Sequence, residues 1–235
     1  MAGETIKTEA ICLDIRPWSR TSHVVSWLTP MGKVSTVVKG AVRAKSQFLG
    51  QYDLNYTCDI LYYARAKGEL HALREAVPLE MREKLREDYR KLALAGYMRR
   101  LVAELAPAGE ECRAWYELLL SSLLSLVPRV DDLIRFELAV LRLSGLAPDF
   151  SKYDRNAEWS AFSIEAGSFG NGEGRCIRVS REVADYLSEK CENAKNPQIP
   201  LDAARVIGVF YQFHLDCASD VRRTVLEMIS SKKEG

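Results

Sequence analysis

The chain has little of what most reaction chemistry needs. Histidine occurs only three times in 235 residues, at His23, His71 and His214, and none belongs to a serine, cysteine or acid pattern that marks a triad. An imidazole needs a partner to serve as a base, so the sequence does not read as an enzyme. The six cysteines are scattered, with no CxxC pair and no histidine at ligand spacing. That leaves neither a disulfide framework nor a zinc motif, and the thiols read as reduced, buried small hydrophobes of a cytoplasmic protein. No window approaches the roughly 18 apolar residues that a bilayer span requires, and "MAGETIKTEAICL" lacks the cationic and apolar runs of an export signal. No membrane partner is expected. The glycine-rich "GNGEGR" (Gly170–Arg175) has no preceding strand and no Gly-Lys-Ser/Thr ending; without them it is a surface loop, not a phosphate loop.

The most informative absence is local. From Ile15 to Tyr52 there is no Asp or Glu, yet six Lys or Arg stand there: Arg16, Arg20, Lys33, Lys39, Arg43 and Lys45. The whole chain has a formal net charge of only +1. A gap in acids this long, in a balanced protein, points to an anionic partner for that segment.

What is present falls into two regions. "TEAICLDI", "HVVSWLT", "KVSTVVKG", "YTCDILYYA" and "ELHALREAVPLE" are β-branched and apolar runs, separated by turn signals at "PMGK" and at "RAKG", where Gly68 permits a reversal. Five short strands in this space, without helical crossovers, predict a small closed barrel of the OB type over residues 1–80. From residue 81 the hydrophobic period becomes helical. Leu94, Tyr97, Met98, Leu101, Val102 and Leu105 share one face, and further helices are expected near 111–127 and 131–145. Another should start at a cap on Asp202, and a last one should run from about Asp220 to Ser230. Residues 147–178, rich in Gly, Ser, Asp and Asn, read as a long loop or a small irregular subdomain. The expected class is α+β, a barrel domain (1–80) followed by a helical domain (81–235).

On an OB barrel, nucleic acid crosses strands 2 and 3 and is gripped by the flanking loops. Arg20, Lys33, Lys39, Arg43 and Lys45 would fall there. Alternation puts Lys33, Ser35, Val37 and Lys39 on one face of the third strand. Trp18, Trp27, Phe48 and Tyr52 are near enough to stack bases or to fill the barrel. Nothing in "GAVRAKSQFLGQ" offers an amide fork on a presented helix, so base readout is not expected. The rival reading is a non-enzymatic interaction scaffold whose basic barrel receives an acidic protein.

The residues that carry this pattern also resemble a family. "TEAICLDIRPWSRTSHVVSWLTPMGKVSTVVKGAVRAKSQFLGQ", with Gly32 and Lys33 and then Lys39, Gly40, Ala41, Arg43 and Lys45, is similar to the RecO family of bacterial recombination mediators. "LREAVPLE", "RFELAVLRLSGLAPDFSKY" and "YQFHLD" extend the resemblance over most of the chain. It implies binding of single- and double-stranded DNA, annealing of complementary strands, and recombinase loading with RecR on strands covered by single-strand-binding protein. It also implies a helical domain that receives the acidic, apolar tail of that protein, for which Arg135 and Arg142 are candidates. Many relatives bind zinc through two close cysteine pairs in the irregular segment. Here Tyr153 and Asn156 stand at the first pair, and Cys176 and Val179 at the second. One thiolate cannot hold a structural zinc, so no metal or other cofactor is expected, and the segment must be held by packing alone or be mobile.

Overall fold

A computed structural model describes residues 4–65, 70–107, 112–170, 174–189, 191–192, 194, 196–215 and 219–231. The reversal expected at Gly68 and the tail beyond Ser231 lie outside them. The chain forms two compact units, residues 1–125 and 126–235.

In the first unit, β1 (Thr5–Ser19), β2 (Ser22–Thr29), β3 (Gly32–Val38), β4 (Thr57–Tyr63) and β5 (Leu70–Glu80) close into a barrel of order β1-β2-β3-β5-β4. Every pairing is antiparallel except a short parallel contact of Ser35–Val37 with Leu70–Ala72. The interior is filled by Cys12, Val25, Trp27, Val38, Cys58 and Ile60, joined from the β3–β4 loop by Ala41, Phe48 and Tyr56. Trp27 is fully buried, and its indole N–H donates to Thr36 Oγ1 at 2.9 Å. A buried indole needs that acceptor, so Trp27 and Thr36 fix the inner face of the hairpin.

Two helices complete this unit, α1 (Tyr89–Leu105) and α2 (Cys112–Leu124). Asp88 caps α1 by accepting from Arg90 N at 2.9 Å. The buried stripe of α1 includes Leu94, Tyr97, Met98, Leu101 and Val102, five of the six residues picked out by their spacing. Ile11, Leu13 and Leu28 are fully buried yet lie outside the barrel's interior cluster. They face outward, and α1 and α2, which touch β1, β2 and β3, cover them.

The second unit contains α3 (Val130–Leu143), a small sheet of β6 (Trp159–Ser163), β7 (Ser168–Phe169) and β8 (Cys176–Ser180) in the order β7-β6-β8, then α4 (Arg181–Ser188), α5 (Gln198–Leu215) and α6 (Ser219–Ser230). The stretch read as a long loop or a small irregular subdomain carries short strands, as the second alternative has it. An aromatic cluster holds it: Phe150 stacks on Phe162 at 4.9 Å between centroids, Phe169 meets Phe162 edge-on at 5.3 Å, and Phe210 of α5 closes from the other side at 6.0 Å. Asp202 is not the cap of α5. The helix begins at Gln198, with Asn196 Oδ1 accepting from Gln198 N at 2.8 Å and Pro200 in the first turn, where a missing N–H costs nothing. Asp202, one turn in, pairs with Arg205 at 2.7 Å. Deeper in the unit, Glu137 is fully buried and is held bidentately by Arg222, at 2.7 and 2.9 Å, while Arg222 also donates to Ala204 O.

Candidate nucleic-acid interface

The outer face of the β2–β3 hairpin is a ladder of directly opposed residues: Leu28 with Lys33, Ser26 with Ser35, Val24 with Val37. Lys39 follows just past the end of β3. Alternation therefore sets Lys33, Ser35 and Val37 on one face, while Lys39 lies past the end of the strand, about 20 Å from Lys33. The two lysines also meet different neighbours. Lys33 is at the end covered by helices, where its ammonium donates to Ala103 O of α1 at 3.2 Å. Lys39 is at the open end.

That open end gathers the other cations. The β3–β4 loop descends through successive turns, Arg43 N to Gly40 O at 3.2 Å and Ser46 N to Arg43 O at 2.9 Å. Gly40 makes the first turn at φ +66, and a Cβ there would sit 3.2 Å from Arg43 Cδ, so glycine both permits the backbone and seats the arginine stem. The loop is pinned to the β1–β2 turn by Val42 N to Thr21 O at 3.4 Å and Gly40 N to Ser22 Oγ at 3.3 Å. This brings Arg20, in the β1–β2 turn, beside the segment carrying Lys39, Arg43 and Lys45. All four are exposed, and among the described residues none forms an ion pair. Trp18, at the end of β1, is 61% exposed at the same rim.

A hollow of about 460 Å³ opens next to Lys39, lined also by Gln47, Tyr63 and Arg74. These residues were not singled out by the sequence pattern. The register of β4 against β5 runs from Leu61 opposite Glu75 to Tyr62 opposite Leu73, so Arg74 is the extra residue of a bulge. Bulges re-aim side chains. Here the guanidinium lies 4.9 Å from the ring centroid of Tyr63 and also donates to its hydroxyl, while Gln47 Nε2 donates to Arg74 O at 3.0 Å. Tyr63, 38% exposed, presents an aromatic surface backed by a cation. Trp27 and Phe48 instead belong to the barrel interior, and the Tyr52 hydroxyl is bound to His23 Nδ1 at 2.9 Å.

Comparison with known proteins matches the family model for the N-terminal part of recombination protein O over residues 1–82, and the model for its C-terminal part over residues 86–218. A DNA repair protein RecO of Alkaliphilus metalliredigens is 31% identical over 235 aligned positions, covering 90% of this chain and 94% of the relative. One of Roseiflexus sp. is 29% identical over 151 positions, 63% of this chain and 53% of the relative. The chain belongs to the RecO family. Its role is accordingly in DNA repair and recombination.

In this RecO-family chain the second unit has a hollow of its own. Arg135 and Arg142, seven residues apart on α3, both line a hollow of about 500 Å³ with apolar walls from Leu138, Ala139, Pro148, Phe150 and Leu187. Arg135 is paired with Asp132 at 3.0 Å; Arg142 has no ion-pair partner among the described residues. Asp149 and Glu192 lie on the same hollow's edge. Of the four residues that the resemblance sets against zinc cysteines, Tyr153 is buried with its hydroxyl donating to Asp185, Asn156 is exposed in a turn, Cys176 opens β8, and Val179 is buried. Among the described residues no group of three or more His, Cys, Asp or Glu could hold a metal ion, and no helix is long and apolar enough to cross a membrane.

Proposed function

We propose that this chain is a non-enzymatic mediator that binds single- and double-stranded DNA through the open rim of its barrel and anneals complementary strands. The observation that carries this reading is the meeting of Arg20, Lys39, Arg43 and Lys45, all exposed and none ion-paired among the described residues, at one end of the hairpin. Phosphates are the anions such a comb fits, and contacts of that kind carry no sequence information. Trp18 and the Tyr63–Arg74 pair supply faces on which unpaired bases stack. Charge neutralised at the rim lets two strands approach, while base edges stay free to pair.

Fluorescence anisotropy of labelled oligonucleotides over a salt series tests it. With about three phosphates neutralised on a single strand, affinity should fall roughly twentyfold between 50 and 200 mM salt. Lys39→Glu with Arg43→Glu should abolish most of it. A flat salt response, or unchanged affinity in that double variant, would favour an acidic protein as the rim's partner.

The hollow on α3 is the proposed seat of the acidic, apolar tail of single-strand-binding protein. Apolar walls and Arg142 suit a short segment with a carboxylate and apolar side chains. With that contact and with RecR, the chain would help load recombinase on covered strands. Binding of a peptide with this composition should weaken in Arg142→Glu and be indifferent to the rim variants.

A further inference from the structure

At the end of the β2–β3 hairpin away from the rim, between strands β1–β3 and helix α1, lies a polar cleft of about 600 Å³. Four cations line it against two acids. The acids are already engaged, Asp14 by Arg16 and Glu104 by Arg100 Nε at 2.8 Å. Among the described residues the other two cations form no ion pair: Lys33 donates to Ala103 O, and Arg99 to Leu13 O. Leu13 is the extra residue of a bulge between Cys12 and Asp14, which frees its carbonyl for the guanidinium. Arg99 Nε is buried with no partner among the described residues. Across the cleft, Ser26 and Ser35 are opposed on the outward face of the hairpin, and among the described residues neither hydroxyl is hydrogen-bonded.

We infer that this cleft binds a phosphate group, with Lys33 and Arg99 supplying the charge and the hydroxyls of Ser26 and Ser35 the further donors. The donors converge from two walls, three from the barrel and one from the helix. A tetrahedral oxyanion with several acceptor oxygens satisfies such a set, whereas a planar carboxylate satisfies one side of it. The phosphate can belong to DNA held at the rim, since Ser35 and Lys39 are about 13 Å apart along β3, or to a strand end or a free phosphate compound. The inference stands on the cleft alone and does not depend on DNA binding at the rim.

The test uses the full chain and compares its melting temperature in inorganic phosphate and in chloride at equal ionic strength. Phosphate should stabilise the wild type beyond chloride. The difference should vanish in Ser26→Ala with Ser35→Ala and in Lys33→Gln, and persist in Lys39→Glu with Arg43→Glu. No phosphate-specific stabilisation, or an equal one in the cleft variants, would overturn it. Oligonucleotides then assign the source. Roughly tenfold tighter binding of a 5′-phosphorylated strand than of its 5′-hydroxyl twin, the effect of about one charge-assisted hydrogen bond, points to a strand end. Equal affinities that both fall in the cleft variants point to an internal phosphodiester. Oligonucleotides indifferent to the cleft variants leave the free compound.

Discussion

Arg74 owes its place to one additional residue in β5. Were β4 and β5 in unbroken register, its side chain would follow plain alternation; the bulge turns it over Tyr63. On the proposed DNA-binding reading, Tyr63 would offer unpaired bases a ring backed by a cation, a contact typically worth about 1–3 kcal/mol per base. Tyr63→Ala should therefore weaken a single-stranded oligonucleotide by about that amount and a duplex far less, because paired bases have no free face. Parallel anisotropy titrations decide it; equal losses on both would assign Tyr63 a structural part. Alternation in "KVSTVVK" did reveal which residues of β3 face outward, because period 2 is intrinsic to a strand. A bulge has no such signature, and neither does a helix that brings Ala103 O, 70 residues downstream, to the Lys33 ammonium.

Elements with several turns or alternations were legible: the five barrel strands, α1, α2, α3 and α6 stand where periodicity puts them, within a few residues. The strands β6, β7 and β8, of two to five residues, and the two-turn α4 were not, since they are too short to display a clear period; β6 and β7 are held by the aromatic cluster instead. Helix α5 shows how tertiary contact overrides propensity. Gly208→Ala should gain about 1 kcal/mol of helix propensity. A Cβ at Gly208 would, however, stand 2.5 Å from Arg222 Nη1, and that side chain is fastened by Glu137 and Ala204 O. Displacing it breaks the pairing of Arg222 with a buried carboxylate, which costs about 3–5 kcal/mol when complete. The expected net effect is a loss of about 1–3 kcal/mol, visible as a lower urea midpoint. A gain would mean that Arg222 can move without disturbing Glu137.

Across the whole molecule, buried thiols contribute to the loss of stability expected at alkaline pH. Burial pushes Cys58 and Cys191, one in each unit, up to about 12 from an ordinary 9.0, and raises Cys12 well above it. The folded state favours the neutral thiol, so this stabilisation is fully present below pH 9 and is lost as pH rises from 9 towards 12. Melting temperatures measured from pH 8 upward should hold level and then fall across that window. Cys191→Ala should make the fall shallower, and a level profile to pH 11 would contradict the assignment. The same burial keeps these thiols poor nucleophiles.

The helices packed against one half of the hairpin also bear on how the proposed rim would occupy DNA. On that reading the rim offers a strand a short track, so each copy should cover few nucleotides, near the lower end of the about 4–16 typical of such barrels. A long strand is then a row of overlapping short sites. Saturation should require copies in proportion to strand length while each copy's intrinsic affinity stays constant, so coverage rises by number of molecules and not by tighter grip.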